Sequence, residues 1–315
     1  MKILVFGGGG QVGWELQRSL SVLGQVIALG SRTADNPQHA GKPLCGDFTD
    51  LDGIAQTVRR VQPDVIVNAA AHTAVDKAES EPALARTLNA RAPAVLADEA
   101  IRLGAWLVHY STDYVFDGSG KRPWLETDTP GPLSVYGHTK LEGEQAVARC
   151  ARHLIFRTSW VYATRGGNFA KTMLRLAAER DTLTVIDDQW GAPTSAELLA
   201  DVTAHALRTA MRQPELAGLY HCVASGETNW HGYAQTVLAQ AQSLGWALKA
   251  GPDQVLPTAT ANYPTPARRP LNSRLDTTRL RAAFGLELPQ WQLGLARMLT
   301  EISADIHKPG KSTNT

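Results

Sequence analysis

The chain has 315 residues, 43% hydrophobic and 19% charged, enough for one large domain with a smaller lobe beside it. A formal net charge of +1 without any lysine or arginine run excludes an extended nucleic-acid stripe, and no apolar run reaches the roughly 18 to 20 residues of a membrane span. Cys45, Cys150 and Cys222 are too scattered for a disulfide framework or a zinc site, so a cytoplasmic protein with small anionic partners is expected.

From the amino end, apolar runs at Ile3 to Phe6, Val26 to Leu29, Val65 to Asn68, Trp106 to His109 and Leu154 to Phe156 read as buried strands. Helical stretches at Val12 to Leu23, Leu51 to Val61, Pro82 to Leu103 and Ser134 to Arg152 separate them. The alternation predicts a doubly wound parallel α/β sheet, a Rossmann domain over residues 1–160. Beyond it, Gly, Pro and Trp punctuation over 161–306 suits a smaller α/β substrate lobe, with later segments returning to the first domain. Residues 307–315, polar and containing Pro309 and Gly310, read as a flexible tail.

Gly7, Gly10 and Gly13 follow the first strand and open a helix, where glycines let the backbone approach a pyrophosphate. Gly8, Gly10 and Gly13 satisfy the other dinucleotide spacing equally well, so the order strand, glycines, helix carries the reading. The second strand ends in Gly30-Ser31-Arg32 in place of an acid that would hold an adenosine ribose. Gly30 leaves room for a 2′-phosphate, which Ser31 and the Arg32 guanidinium fork could bind, so NADPH is expected over NADH. Asp35 could instead fold back to the ribose, which makes this a preference and not an exclusion.

Tyr136 and Lys140 lie at i and i+4 on a helix that Ser134 can cap. A lysine cation near the phenol is expected to lower its pKa, giving an acid for an oxygen that becomes an alkoxide when hydride arrives. Such a pair alone is more often a surface pair. What raises it is the segment Tyr110-Ser111-Thr112-Asp113 at the carboxyl edge of the sheet, where Thr112 or Ser111 could bond a substrate carbonyl. Arg268, Arg269 and Arg274 are candidates for gripping a diphosphate. Trp160 offers either a ring and N–H to a ligand or a core aromatic at the domain boundary.

Taken together, Gly7 to Leu16, Asn68 to Asp76, Ser111 to Gly118, Val135 to Lys140, Arg157 to Trp160 and Arg269 to Ser273 closely resemble the dTDP-4-dehydrorhamnose reductases, of the extended short-chain dehydrogenase/reductases, over nearly the whole chain. The resemblance implies reduction by NAD(P)H of the C4 ketone of a dTDP-sugar, dTDP-4-dehydro-L-rhamnose, in synthesis of rhamnose for lipopolysaccharide and related polysaccharides. By motif, Tyr136 donates the proton, Lys140 holds the nicotinamide ribose and Thr112 orients the tyrosine. Gly10, Gln11 and Val12 would meet the pyrophosphate, Asp47 and Phe48 the adenine, Ala71, His72 and Thr73 the middle of the cofactor, and Tyr110 the strand edge beside it. Asp113 and Trp160 would touch the sugar nucleotide. The family also implies a homodimer contact at which glutamates bridge Mg2+, with Glu15, Glu197 and Glu301 in comparable places. The rival expectations are a 4-epimerase or dehydratase of the same superfamily, and a non-catalytic nucleotide-binding subunit.

Overall fold

The computed structural model describes residues 1–39 and 41–306; the tail assigned to 307–315 lies outside the described residues. In β1 (Lys2–Phe6), Ile3 and Val5 enter one hydrophobic cluster while Leu4 and Phe6 enter another. Burial on both faces is why this run is continuously apolar. The chain continues through α1 (Gln11–Ser21), β2 (Gln25–Leu29), α2 (Leu51–Val61), β3 (Val65–Asn68), α3 (Ala92–Leu103), β4 (Trp106–Thr112), α4 (Val135–Val147) and β5 (His153–Thr158). Then follow α5 (Phe169–Glu179), α6 (Ala196–Ala210), β6 (Gly218–His221), α7 (Trp230–Ser243), α8 (Thr278–Phe284) and α9 (Trp291–Ile306).

The six strands form one parallel sheet in the order β6-β5-β4-β3-β1-β2. Core side chains from α1, α6 and α8 pack on one face, and those from α2, α3 and the end of α4 on the other. The fold is thus a doubly wound Rossmann α/β sheet. Its strand order reverses between β1 and β3, whose carboxyl ends open the crevice where sheets of this kind bind ligands. A separate core unites α5, α7 and α9 with the parallel pair Leu183–Ile186 and Val255–Thr258.

Three elements depart from the sequence reading. The helix expected from Pro82 to Leu103 runs without a gap between those bounds, but it winds as Pro82–Arg86, a π-helical turn at Thr87–Arg91 and α3, the turn falling just before Pro93, a residue with no N–H for a helix interior. The helix expected to reach Arg152 stops at Val147. Strand β6, absent from the expected set, adds itself beside β5 from the later half of the chain. Its four residues are too few to display a period.

No helix among the described residues is long and apolar enough to cross a membrane. Cys45, Cys150 and Cys222 are free thiols, the last two buried.

Candidate active site

The turn after β1 is built by glycines that packing demands. Gly7 has φ +84°, and a Cβ on it would lie 2.7 Å from the backbone of Ala69 and Ala70 after β3. A Cβ on Gly13 would fall 2.1 Å from the Gly7 carbonyl oxygen, so α1 can cross this close to the turn only with glycine there. Gly8 is also tight, its added Cβ 2.9 Å from that of Ala28, so packing selects neither of the two overlapping spacings. Gly10 is the N-cap of α1 and brings no side chain to it. The first-turn amides and the positive end of the helix dipole are therefore available to an anion.

A cleft of about 1220 Å³ opens at this switch point. Gly7, Gly10, Gln11 and Val12 line it, as do Ser31, Arg32, Asp47 and Phe48. Ala71, Thr73 and Tyr110 line it farther along. The geometry fits a dinucleotide: a glycine cradle that any Cβ would fill, a long cleft and an uncapped helix start. Gly13 and His72 stand behind the wall. His72 is buried with Nε2 3.6 Å from Glu81, and its backbone N–H donates to Asn89 at 2.8 Å. Arg32 pairs with Asp35 at 2.7 Å on the exposed rim, so the expected arginine and its expected competitor hold each other. Asp47 accepts from the backbone N–H and hydroxyl of Thr49, and Phe48 packs on Phe6.

The second half of the site is set by α4 lying hard against the turn after β4. Ser134 caps the helix as expected, accepting from the Gly137 N–H at 3.2 Å. A Cβ on Gly137 would come within 2.3 Å of the Tyr114 carbonyl oxygen, so this glycine lets Tyr136 reach the Thr112–Tyr114 segment. Tyr136 meets Tyr114 edge to face at 5.6 Å. Burial pushes its phenol up to about 12, opposed by a hydrogen bond with Thr112 and reinforced by the Asp113 carboxylate.

The lowering of that pKa expected from Lys140 does not appear. Lys140 is buried and donates to the Tyr110 carbonyl at 2.6 Å, and loss of water brings it down to about 8, with Glu144 holding it up. A phenol stripped of solvent at this depth is governed by desolvation and by the hydroxyl beside it.

The two hydroxyls left open by the sequence part company. Strand neighbours point to opposite faces, so Ser111 donates to Glu144, which Arg157 grips at 2.7 and 2.8 Å, while Thr112 donates to Asp113 at 3.0 Å and lines the cleft with Tyr136. Asp113 is 2% exposed, and burial pushes its carboxyl up to about 6 against hydrogen bonds with Ser273 and Thr112. Its Oδ2 has no partner among the described residues.

Trp160 lines the cleft with φ +48°, a left-handed conformation that costs a bulky residue about 1–3 kcal/mol. Arg269 does not line it. It pairs instead with Asp76 at 2.6 and 3.1 Å, its hydrogen bonds holding that carboxyl below the usual range, while Arg274 pairs with Glu227. The arginine that reaches the cleft beside the glycine turn is Arg165, which the sequence does not announce. Its Nε donates to the Gly9 carbonyl at 3.2 Å and its guanidinium covers Trp14 at 4.2 Å. Tyr114 and Trp230 also line the cleft unforeseen. An arginine in a glycine-flanked loop and a tryptophan 70 residues after Trp160 carry no local pattern that could announce them.

The glutamates assigned to magnesium do not fit an ion in this chain. Glu15 lies 3.7 Å from Arg18, and Glu197 and Glu301 lie 3.2 and 3.6 Å from Arg297. Burial and the neighbouring Glu301 and Glu15 push the Glu197 carboxyl up. Among the described residues no group of three His, Cys, Asp or Glu side chains is placed to hold a metal ion. Like charges gathered here are compensated by arginine.

A family model described as the RmlD substrate binding domain matches residues 1–304. The dTDP-4-dehydrorhamnose reductase of Salmonella typhimurium is 59% identical over 303 residues, covering 96% of this chain and 98% of that protein. The crystal structure of a dTDP-4-dehydrorhamnose reductase from Clostridium acetobutylicum superposes with a TM-score of 0.84 at 34% identity, covering 96% of this chain and 99% of the other. That of the Bacillus anthracis enzyme in complex with NADP gives 0.82 at 32% identity, covering 95% and 99%. With the glycine cradle, the Tyr136–Lys140 helix and this similarity along almost its full length, the chain belongs to the dTDP-4-dehydrorhamnose reductase family.

Proposed function

We propose that this chain reduces the C4 ketone of dTDP-4-dehydro-L-rhamnose to give dTDP-L-rhamnose for cell-surface polysaccharide. The observation that carries the reading is the convergence of Thr112, Tyr136 and buried Lys140 on the cleft that the glycine turn opens. The relatives' names supply the substrate, and the NADP complex of the Bacillus anthracis protein supports the cofactor class. When bound, the reduced nicotinamide supplies the hydride.

In this reading Tyr136 stays protonated through neutral pH and gives its phenolic proton to the substrate oxygen at C4. Thr112 holds the phenol in line, and Lys140 holds a positive charge next to the ribose of the cofactor. Gly7, Gly10, Gln11 and Val12, with Arg165, cradle the pyrophosphate. Asp47, Phe48, Ala71, Thr73 and Tyr110 flank the rest of the dinucleotide, and Asp113 and Trp160 orient the sugar nucleotide. Residues 1–160, joined by β6, α6 and α8, act as the dinucleotide domain and the remainder of 161–306 as the sugar-nucleotide lobe. NADPH is preferred because Gly30 leaves space and Ser31 and Arg32 can receive a 2′-phosphate. The same reading places the enzyme in the cytoplasm as a homodimer, and Leu293, 64% exposed one turn before Arg297 on α9, is an apolar group such a contact would cover.

A 4-epimerase would oxidise and re-reduce without net use of cofactor. Following NADPH absorbance against dTDP-4-dehydro-L-rhamnose separates the two: one NADPH oxidised per sugar reduced supports the reductase, and turnover without consumption excludes it.

A further inference from the structure

Trp160 and Trp230 form a stacked pair, ring centroids 3.7 Å apart and planes 17° from parallel. Trp160 lies two residues beyond β5 and Trp230 is the first residue of α7, so the pair joins the dinucleotide domain to the other lobe at the cleft. Gln62 and Trp160 are the two non-glycine residues at positive φ among the described residues. Gln62 terminates a helix, where that conformation is ordinary. Trp160 lies in no helix cap, so something else must hold it.

We propose that Trp230 is a positioning residue that clamps Trp160 in its left-handed conformation, aiming the Trp160 indole at the sugar portion of the nucleotide-linked substrate. The inference rests on the sugar-nucleotide reading of the cleft. The two indoles have different jobs. Trp230 donates its N–H to Gln189 at 3.1 Å, and Gln189 in turn donates to Thr260 at 3.0 Å. Phe169 packs on Trp230 at 4.6 Å, and α7, which Trp230 begins, is capped by Asn229, which accepts from the Gly232 N–H at 2.7 Å. Trp230 is thereby anchored in the lobe.

Trp160, in contrast, makes no indole N–H hydrogen bond with any of the described residues, although it is only half-exposed. A Cβ on Gly191 would lie 2.9 Å from Cε2 and 3.3 Å from Nε1 of Trp160, so the edge of the ring that carries the N–H rests directly on backbone. An indole fixed by a stack on its face and by backbone at one edge, in the cleft that holds Tyr136 and Asp113, suits a hydroxyl-bearing ring whose C–H groups meet the aromatic surface.

The test uses the full chain and the variants Trp230→Leu and Trp230→Phe. Two stacked indoles give a coupled near-ultraviolet circular dichroism signal, which both variants abolish because each leaves a lone indole. Trp230→Leu should raise KM for dTDP-4-dehydro-L-rhamnose and Kd for dTDP-L-rhamnose about tenfold, the order of one lost aromatic pair, with KM for NADPH unchanged. Trp230→Phe, retaining a flat ring, should recover most of that loss. Unchanged sugar-nucleotide constants in Trp230→Leu, or an equal loss for NADPH, would overturn the proposal. If the wild type fails to turn over the ketone, the reductase reading falls, yet calorimetric titration with dTDP-L-rhamnose still compares the proteins, and equal affinities there overturn the positioning role by themselves.

Discussion

The ammonium of Lys140 donates to the main-chain carbonyl of Tyr110 at 2.6 Å, tying α4 to β4 at the point where the strand delivers Thr112. The charged and titratable groups that act on this ammonium or feel it are Glu144, one helical turn on, and His109 on β4, whose imidazole burial and the lysine charge together hold well below its ordinary range. Burial brings Lys140 to about 8, so its charge is present below that pH and lost above it. Activity that needs the charge should therefore decline as pH rises through about 8, while Tyr136, at about 12, keeps its proton. A profile of kcat/KM, which reports the free enzyme, should show this alkaline limb. A flat profile to pH 10 would remove the Lys140 charge from the account.

Replacing Tyr136 by phenylalanine deletes the proposed proton donor while leaving the ring that packs on Tyr114. The expected loss in kcat is about 10²-fold or more, the scale of a positioned general acid. NADPH affinity, measured by fluorescence titration, should stay near wild type.

Asp113 trades stability for its place in the cleft. Its folded-state pKa, about 6, is raised above the ordinary 3.8, so the ionised form weighs against folding at every pH above about 6. The penalty fades as pH falls from about 6 to about 4, where the folded carboxyl takes up its proton first. Asp113→Asn should accordingly unfold at higher denaturant than wild type at pH 8, by about 2–3 kcal/mol at about 1.4 kcal/mol per pKa unit. That margin should vanish near pH 4, and KM for the sugar nucleotide should rise. Lower stability at pH 8 would show that the Ser273 and Thr112 hydrogen bonds outweigh desolvation.

Much of the site is local and so legible. Gly7, Gly10 and Gly13 lie within one turn and one helix start, and the spacing of Tyr136 and Lys140 is the helical repeat itself. The choice between Ser111 and Thr112 needed the phase of β4, which residue types alone do not reveal. Arg269 was drawn toward a diphosphate because nothing in its neighbourhood disclosed Asp76, 193 positions away. Strand β6 and Trp230 escaped for the same reason, as their meaning lies in partners from distant parts of the chain.

Arg32 and Asp35 pair on an exposed rim, where such a contact contributes little and a phosphate can compete for the guanidinium. Arg32→Ala should lower kcat/KM for NADPH about tenfold and leave NADH nearly unchanged. Steady-state comparison of both cofactors in wild type and variant checks this. An unaltered ratio would place the discrimination elsewhere.

The central claim is tested by incubating the protein with dTDP-4-dehydro-L-rhamnose and NADPH and identifying the sugar nucleotide by NMR. The account predicts dTDP-L-rhamnose, formed with one NADPH oxidised per product and lost in Tyr136→Phe. A product formed without NADPH oxidation, or undiminished by that substitution, would contradict it.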